Sequence, residues 1–306
     1  MKKLKAIGFA FLYLAISLVI QLVIGVVISM QLVMVRLING SQDFDMKQWQ
    51  NQMYEQLESS QFSIILVALV NLIVIAGFGL WYYFIRTRRD VSEAPYRKIL
   101  SAKSVGCTFG LAVCGQFVCN IIMMVFSVVF PMTFQEYVKL AEGLDIHVLP
   151  AALMLFIVAV WSPLAEELIF RAMIFRTLRN GFSFWPAALI SGMLFGAYHM
   201  NWVQGVYAAA LGVILAYTYE KTNSLLGCYL LHFMFNLTSY GLEAVQKGIP
   251  EFVAGLIFLV LEAVSLVGIV LFLRWYSRIF AGSQAVRQKL WEEPELQEET
   301  QEKLEN

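Results

Sequence analysis

The sequence predicts an all-α, polytopic membrane helix bundle of about eight transmembrane helices with both termini cytoplasmic. Three observations predict it. Of 306 residues, 59% are hydrophobic and only 14% are charged, against about 25% charged in a soluble globular chain. The apolar residues gather in runs near the roughly 20 residues that cross a bilayer. Lysine and arginine then collect at one set of run ends, the asymmetry that sets topology.

In chain order, MKKLK leads into a long apolar run, too long for a cleaved signal core and read as an uncleaved first span. The predicted spans are 7–35, 62–85, 104–130, 149–172, 184–199, 205–220, 224–243 and 252–273. The fifth and sixth are short and interrupted by His199, Asn201 and Gln204. One set of ends carries Lys2, Lys3 and Lys5, then Arg86 to Lys103, Arg176, Arg179, Lys221, Arg274 and Arg278. The opposite loops hold only Lys47, Lys139 and Lys247, with Arg36 at a border. An even number of spans with cytoplasmic ends fits this distribution, in a plasma membrane if the source is bacterial.

The chain divides into N-terminal helices (1–145), a second helix bundle (146–280) and an acidic tail (281–306) that reads as disordered. The outer loop 39–61 places Met46, Trp49, Met53 and Leu57 at helical spacing, as an interfacial helix or a folded loop cap. Cys107, Cys114, Cys119 and Cys228 lie in apolar runs without a CxxC pair, as inert buried thiols do. Zero net charge gives no reason to expect nucleic acid.

Ionisable side chains inside spans are rare, and they mark function or tight pairing. Here they are Glu166, Glu167, Arg171, His199, His232 and Glu262. His147 sits at a span boundary and reads as a surface residue. In PLAEELIFRAMIFR, successive residues turn by about 100°, so Glu166 and Glu167 face different ways. Glu167 and Arg171 are four apart in the order that favours an ion pair. That leaves Glu166 without a partner on its helix, free to act as a general base.

SGMLFGAYHMN puts Phe195 and His199 on one face, and LLHFMFNLTS does the same for His232 and Asn236. Glu166 with His199 can hold and deprotonate a water, while His232 and Asn236 can stabilise an oxyanion. Hydrolysis of an amide or ester is the reaction class implied. Each pair alone also has a structural reading, as a clamp or a packed helix contact. Glu262 has no chemical role in this scheme and is expected to hydrogen-bond Asn71, Gln116 or Asn120.

EELIFR, FGAYH and HFMFN resemble the signature EExxxR, FxxxH, HxxxN of the CPBP family. That family comprises type II CAAX prenyl endopeptidases and bacteriocin-processing or Abi-type proteins. The resemblance runs from Ala151 to Tyr240. It implies a glutamate-dependent intramembrane endopeptidase that cleaves near the membrane surface. Glu166 would be the base, His199 its assistant, and His232 with Asn236 the oxyanion site. Glu167, Arg171 and Phe195 would support them. No cofactor is required on this reading. A metal, if present, would be zinc on Glu166, His199 and His232. Expected partners are membrane lipid and a peptide or protein substrate, prenylated or bacteriocin-type. Competing classes are a non-catalytic immunity or scaffold protein and an ion-coupled transporter. The serine type would want GxSG, which LISG (189–192) does not supply, and GxGD of the aspartyl type is absent.

The predicted spans carry one conflict. Straight helices place Glu166 near one end of its span and His199 near the opposite end of the next, too far apart to share a water at about 1.5 Å per residue. Either the boundaries at 172–187 shift, or the fifth segment is tilted or re-entrant.

Overall fold

The computed structural model describes residues 2–39, 47, 51, 60–89, 94–143 and 150–281. His147, the loop residues Met46, Trp49, Met53 and Leu57, and the tail beyond 281 lie outside them. All regular structure among the described residues is helical. We number the main helices α1 (Lys2–Asn39), α2 (Ser60–Arg89), α3 (Ala102–Val129), α4 (Pro131–Gly143) and α5 (Ala151–Arg179). Then follow α6 (Phe184–Tyr198), α7 (Trp202–Thr222), α8 (Leu225–Lys247) and α9 (Glu251–Ile279).

Six of these, α1, α2, α3, α5, α7 and α9, are long and apolar enough to cross a membrane. Helices also form at the other two predicted positions, but they differ in kind. With 15 residues, α6 is shorter than the six, reaching only about 22 Å. At 23 residues α8 has the length, but it carries His232 and Asn236 among its apolar residues.

The fourth predicted span, 149–172, is corrected to Ala151–Arg179. Arg171, expected inside the span and paired with Glu167, is wholly buried against it, and the helix continues through it. Glu166 therefore sits near the middle of a 29-residue helix. It lies about as far before the α5–α6 turn as His199 lies after it, so the hairpin brings them to one level. The conflict between motifs and spans is a boundary error.

Local sequence explains the ends. Pro150 and Pro250 precede the first turns of α5 and α9, and Pro131 opens α4, where a missing N–H costs nothing. Ser101 caps α3 by accepting from the Ser104 N–H. Asn201 caps α7 in the same way, taking the Gln204 N–H at 3.0 Å. Met200 takes φ 53°, a left-handed turn that ends α6 and reverses the chain within a few residues.

Helix α5 is not uniform. Two π-helical stretches, Phe156–Trp161 and Leu168–Phe175, flank the α-helical SPLAEE segment. Pro163 has no N–H and its ring would press on the preceding turn, which the wider π stretch before it accommodates.

Packing surrounds α5. Helices α1 and α2 lie against its middle, α6 packs most extensively on α7, and α3 packs on α9 and α8. Glycines let α6 and α7 touch by backbone. A Cβ on Gly212 would come within 2.9 Å of the Gly192 Cα, and one on Gly196 would run into the Gly205 carbonyl. One buried cluster runs from Ala10 and Tyr13 of α1 through Phe170 and Phe195 to Tyr276 and Phe280. The outer faces stay apolar, as Leu259, Val264 and Val267 of α9 show, which suits lipid contact.

The basic run ends also meet. Lys3 lies against Gly181 and over the Phe182 ring, Ala94 N–H donates to the Thr222 carbonyl, and Lys98 sits over Phe280. At this end Arg179 grips Glu220 through two hydrogen bonds of 3.0 and 2.9 Å, joining α5 to α7.

Candidate active site

The middle of α5 presents Glu166 and Glu167 in different directions, as a helix requires. The Glu167 carboxylate is fully buried, and its Oε1 meets Arg171 Nη1 at 3.0 Å. The same oxygen takes a 2.8 Å bond from His232 Nδ1, across from α8. The sequence showed the ion pair but not its third member, which comes from 65 residues along the chain. Arg171 also donates to the Gly212 carbonyl at 3.2 Å and stacks over Phe195 at 4.6 Å. A buried charge pair is useful only when such extra bonds hold it.

This network fixes His232. A carboxylate accepts only, so Nδ1 carries a proton and Nε2 is turned outward. Nε2 lies 3.6 Å from Glu166 Oε2. Glu166 keeps 18% side-chain exposure while Glu167 keeps none. One glutamate is sealed into the frame; the other faces an opening.

His199 ends α6 and its Nδ1 is 2.9 Å from the Phe195 carbonyl. A carbonyl also only accepts, so Nδ1 is the protonated nitrogen and Nε2 is left as an acceptor. Phe195 is the ring between the two imidazoles, 4.9 Å from His199 and 5.7 Å from His232, edge-on to both. Asn236, one turn beyond His232, donates through Nδ2 to the Val158 carbonyl at 2.9 Å. That carbonyl belongs to the first π stretch, where helix bonding is rearranged. All seven sequence-predicted residues thus belong to one neighbourhood of α5, α6 and α8.

Among the described residues, no three His, Cys, Asp or Glu side chains converge as metal ligands. His232 spends one nitrogen on Glu167 and turns the other to Glu166. The four cysteines are free and buried.

Two features were not read from the sequence. Tyr198, next to His199, accepts a short hydrogen bond from Gln21 of α1. Beside Gln21, helices α1 and α2 with Met200 line an apolar groove of about 730 Å³. No local spacing signals either, because both depend on α1 packing beside α5. Glu262 differs from expectation too. Asn71 donates to Ser162 instead, and Glu262 bonds to no described residue.

A polytopic helical membrane protein with adjacent carboxylates at mid-helix and imidazoles packed about a shared ring is the class this architecture defines. Comparison with known proteins finds similarity over part of the chain. Residues 147–238 match the family described as Rce1-like, type II CAAX prenyl endopeptidase Rce1-like. This segment is thus similar to the type II CAAX prenyl endopeptidases, whose signature the three motifs resemble. An 84-residue stretch, 28% of this chain, is 32% identical to the "Putative membrane peptidase YdiL" of Bacillus subtilis (strain 168). The chain spans about a third (34%) of that relative's length. No solved structure matches it.

Proposed function

We propose that this chain is a glutamate-dependent intramembrane endopeptidase. The observation that carries the reading is the Glu166–His232 approach at 3.6 Å, with His232 held from behind by the buried Glu167–Arg171 pair. A base exposed to an opening and an imidazole locked in one orientation are the parts a water-mediated hydrolysis needs.

A water between Glu166 and the acceptor Nε2 of His199 is oriented by both. Glu166 takes its proton as the oxygen attacks the peptide carbonyl. The outward edge of His232, turned to the site by the Nδ1 bond to Glu167, and the second amide hydrogen of Asn236 stabilise the oxyanion. Collapse of the tetrahedral intermediate breaks the C–N bond, and Glu166 returns the proton to the leaving amine. Arg171 and Phe195 keep these groups in place. The groove beside Gln21 and Met200 is wide and apolar enough to take a hydrophobic part of the substrate, and a lipid-facing entrance suits a membrane-anchored peptide. The basic end of the bundle faces the cytoplasm by the positive-inside rule.

The test is cleavage of quenched-fluorescent peptides, prenylated ones included, by the purified protein in detergent. Wild type should cleave, with or without chelator, and Glu166→Ala should not. Loss of activity with chelator, restored by zinc, would replace the glutamate mechanism with a metal site. Unchanged cellular function of Glu166→Ala would remove the catalytic reading and leave a scaffold or immunity role.

A further inference from the structure

Towards the basic end, α1 and the last turns of α5 enclose a separate cavity of about 260 Å³. Phe9 and Met173 give it an apolar floor, while Tyr13, Arg176, Thr177 and Asn180 give it four side chains able to donate hydrogen bonds. No acidic residue lines it.

Two of these donors bond to nothing among the described residues. Arg171 is paired with Glu167 and Arg179 with Glu220, but Arg176, between them on the same helix, bonds to no described residue. Tyr13 is 8% exposed and its ring is fixed by edge contacts with Phe78 and Trp81 at 6.4 and 5.3 Å. Its hydroxyl nonetheless has no partner among the described residues. A phenol held this rigidly at the cavity wall can donate to an acceptor placed there.

Depth and size narrow the ligand. Lys3 packs against Gly181 at the end of the bundle, and Tyr13 lies about 15 Å further along α1. An acceptor reaching both Tyr13 and Arg176 is therefore inserted between helices and not merely attracted to a surface. Below about 300 Å³, the cavity takes a head group and not a whole lipid. Phe9, half exposed, leads from the floor to the lipid-facing surface. A basic pocket between membrane helices that opens to the hydrocarbon suits a phospholipid phosphate. With no carboxylate to receive an ammonium group, it suits an anionic lipid over a zwitterionic one.

We propose that this cavity binds the phosphate-bearing head group of an anionic phospholipid, with Arg176 and Tyr13 holding the phosphate. Free phosphate offers the same oxygens, so the experiment separates the two sources.

The full chain in detergent would be titrated with dioctanoyl phosphatidylglycerol, dioctanoyl phosphatidylcholine or inorganic phosphate. Native mass spectrometry would read lipid retention, and the thermal midpoint would read stabilisation. Phosphatidylglycerol should be retained and should raise the midpoint, phosphatidylcholine should do so far less, and phosphate should do neither. Arg176→Gln should weaken phosphatidylglycerol binding about tenfold or more, and Tyr13→Phe about fivefold, as lost charged and neutral hydrogen bonds do. Arg278→Gln, at the same end of the bundle, should leave it unchanged. Equal retention by wild type and both cavity variants overturns the site. So does an equal loss in Arg278→Gln, which would show general surface attraction. Stabilisation by phosphate alone overturns the lipid assignment. None of these readouts depends on proteolysis.

Discussion

Two places in the molecule put carboxylates inside apolar helices, and they solve the problem differently. In α5, Glu167 is completely buried and surrounded by Arg171 and His232, while Glu166 stands beside it facing the same imidazole. In α9, Glu262 is half-buried on the stripe that packs against α3, between Phe258 and Ser265, with no bonded partner among the described residues. The difference separates a frame from an isolated acid. A carboxylate with two partners has fixed coordinates and can orient a catalytic group. One without partners has no such leverage, so its removal should cost little.

The sharpest break would come at Glu166. Glu166→Gln should lower peptide cleavage by about 10²–10⁴-fold, the usual scale for a lost general base. Its thermal midpoint in detergent should stay close to wild type, because Glu166 makes no fully buried bond. A large fall in stability there would erase the distinction between the two neighbours.

Glu167→Gln should do the reverse of Glu166→Gln and destabilise the fold by about 3–5 kcal/mol, because it strands a buried guanidinium. Unfolding titrations would read this, and adding Arg171→Met to Glu167→Gln should recover part of the loss. Next in size, Gly196→Ala should cost about 1–3 kcal/mol by forcing α6 off α7, the scale of overpacking in a filled core. Cleavage should fall with it, since His199 rides on α6. Smallest is Glu262→Gln, expected within about 0.5 kcal/mol of wild type and with unchanged activity. A loss there as large as that of Glu167→Gln would mean that Glu262 has a partner of its own and would collapse the comparison.

The residues of the candidate site were more legible than its walls. Glu166, Glu167, Arg171, His199 and His232 stand out because charge and imidazole are rare in apolar runs, and four-residue spacing put pairs on common faces. The end of α5 was not legible, since Arg176 and Arg179 look alike in sequence. Only packing shows that the first lines a cavity and the second is bonded to Glu220. The Glu167–His232 and Gln21–Tyr198 bonds join distant parts of the chain and leave no local trace. The close α6–α7 contact did leave one. GMLFG (192–196) is a GxxxG pattern, whose small residues allow membrane helices to approach. Asn201 likewise carried a helix-cap signal where it was counted only as an interruption.

The π stretches of α5 have a further consequence, for insertions and deletions. Each stretch is a phase shift in the helix, and the SPLAEE segment between them inherits its rotational setting from the first. Deleting one residue between Val158 and Ser162 would turn everything upstream by about 100° relative to Glu166. The Val158 carbonyl would then be carried away from Asn236, with no site residue having changed. Length within this stretch is therefore as constrained as the identity of Glu166 itself, and point substitutions alone would never reveal it.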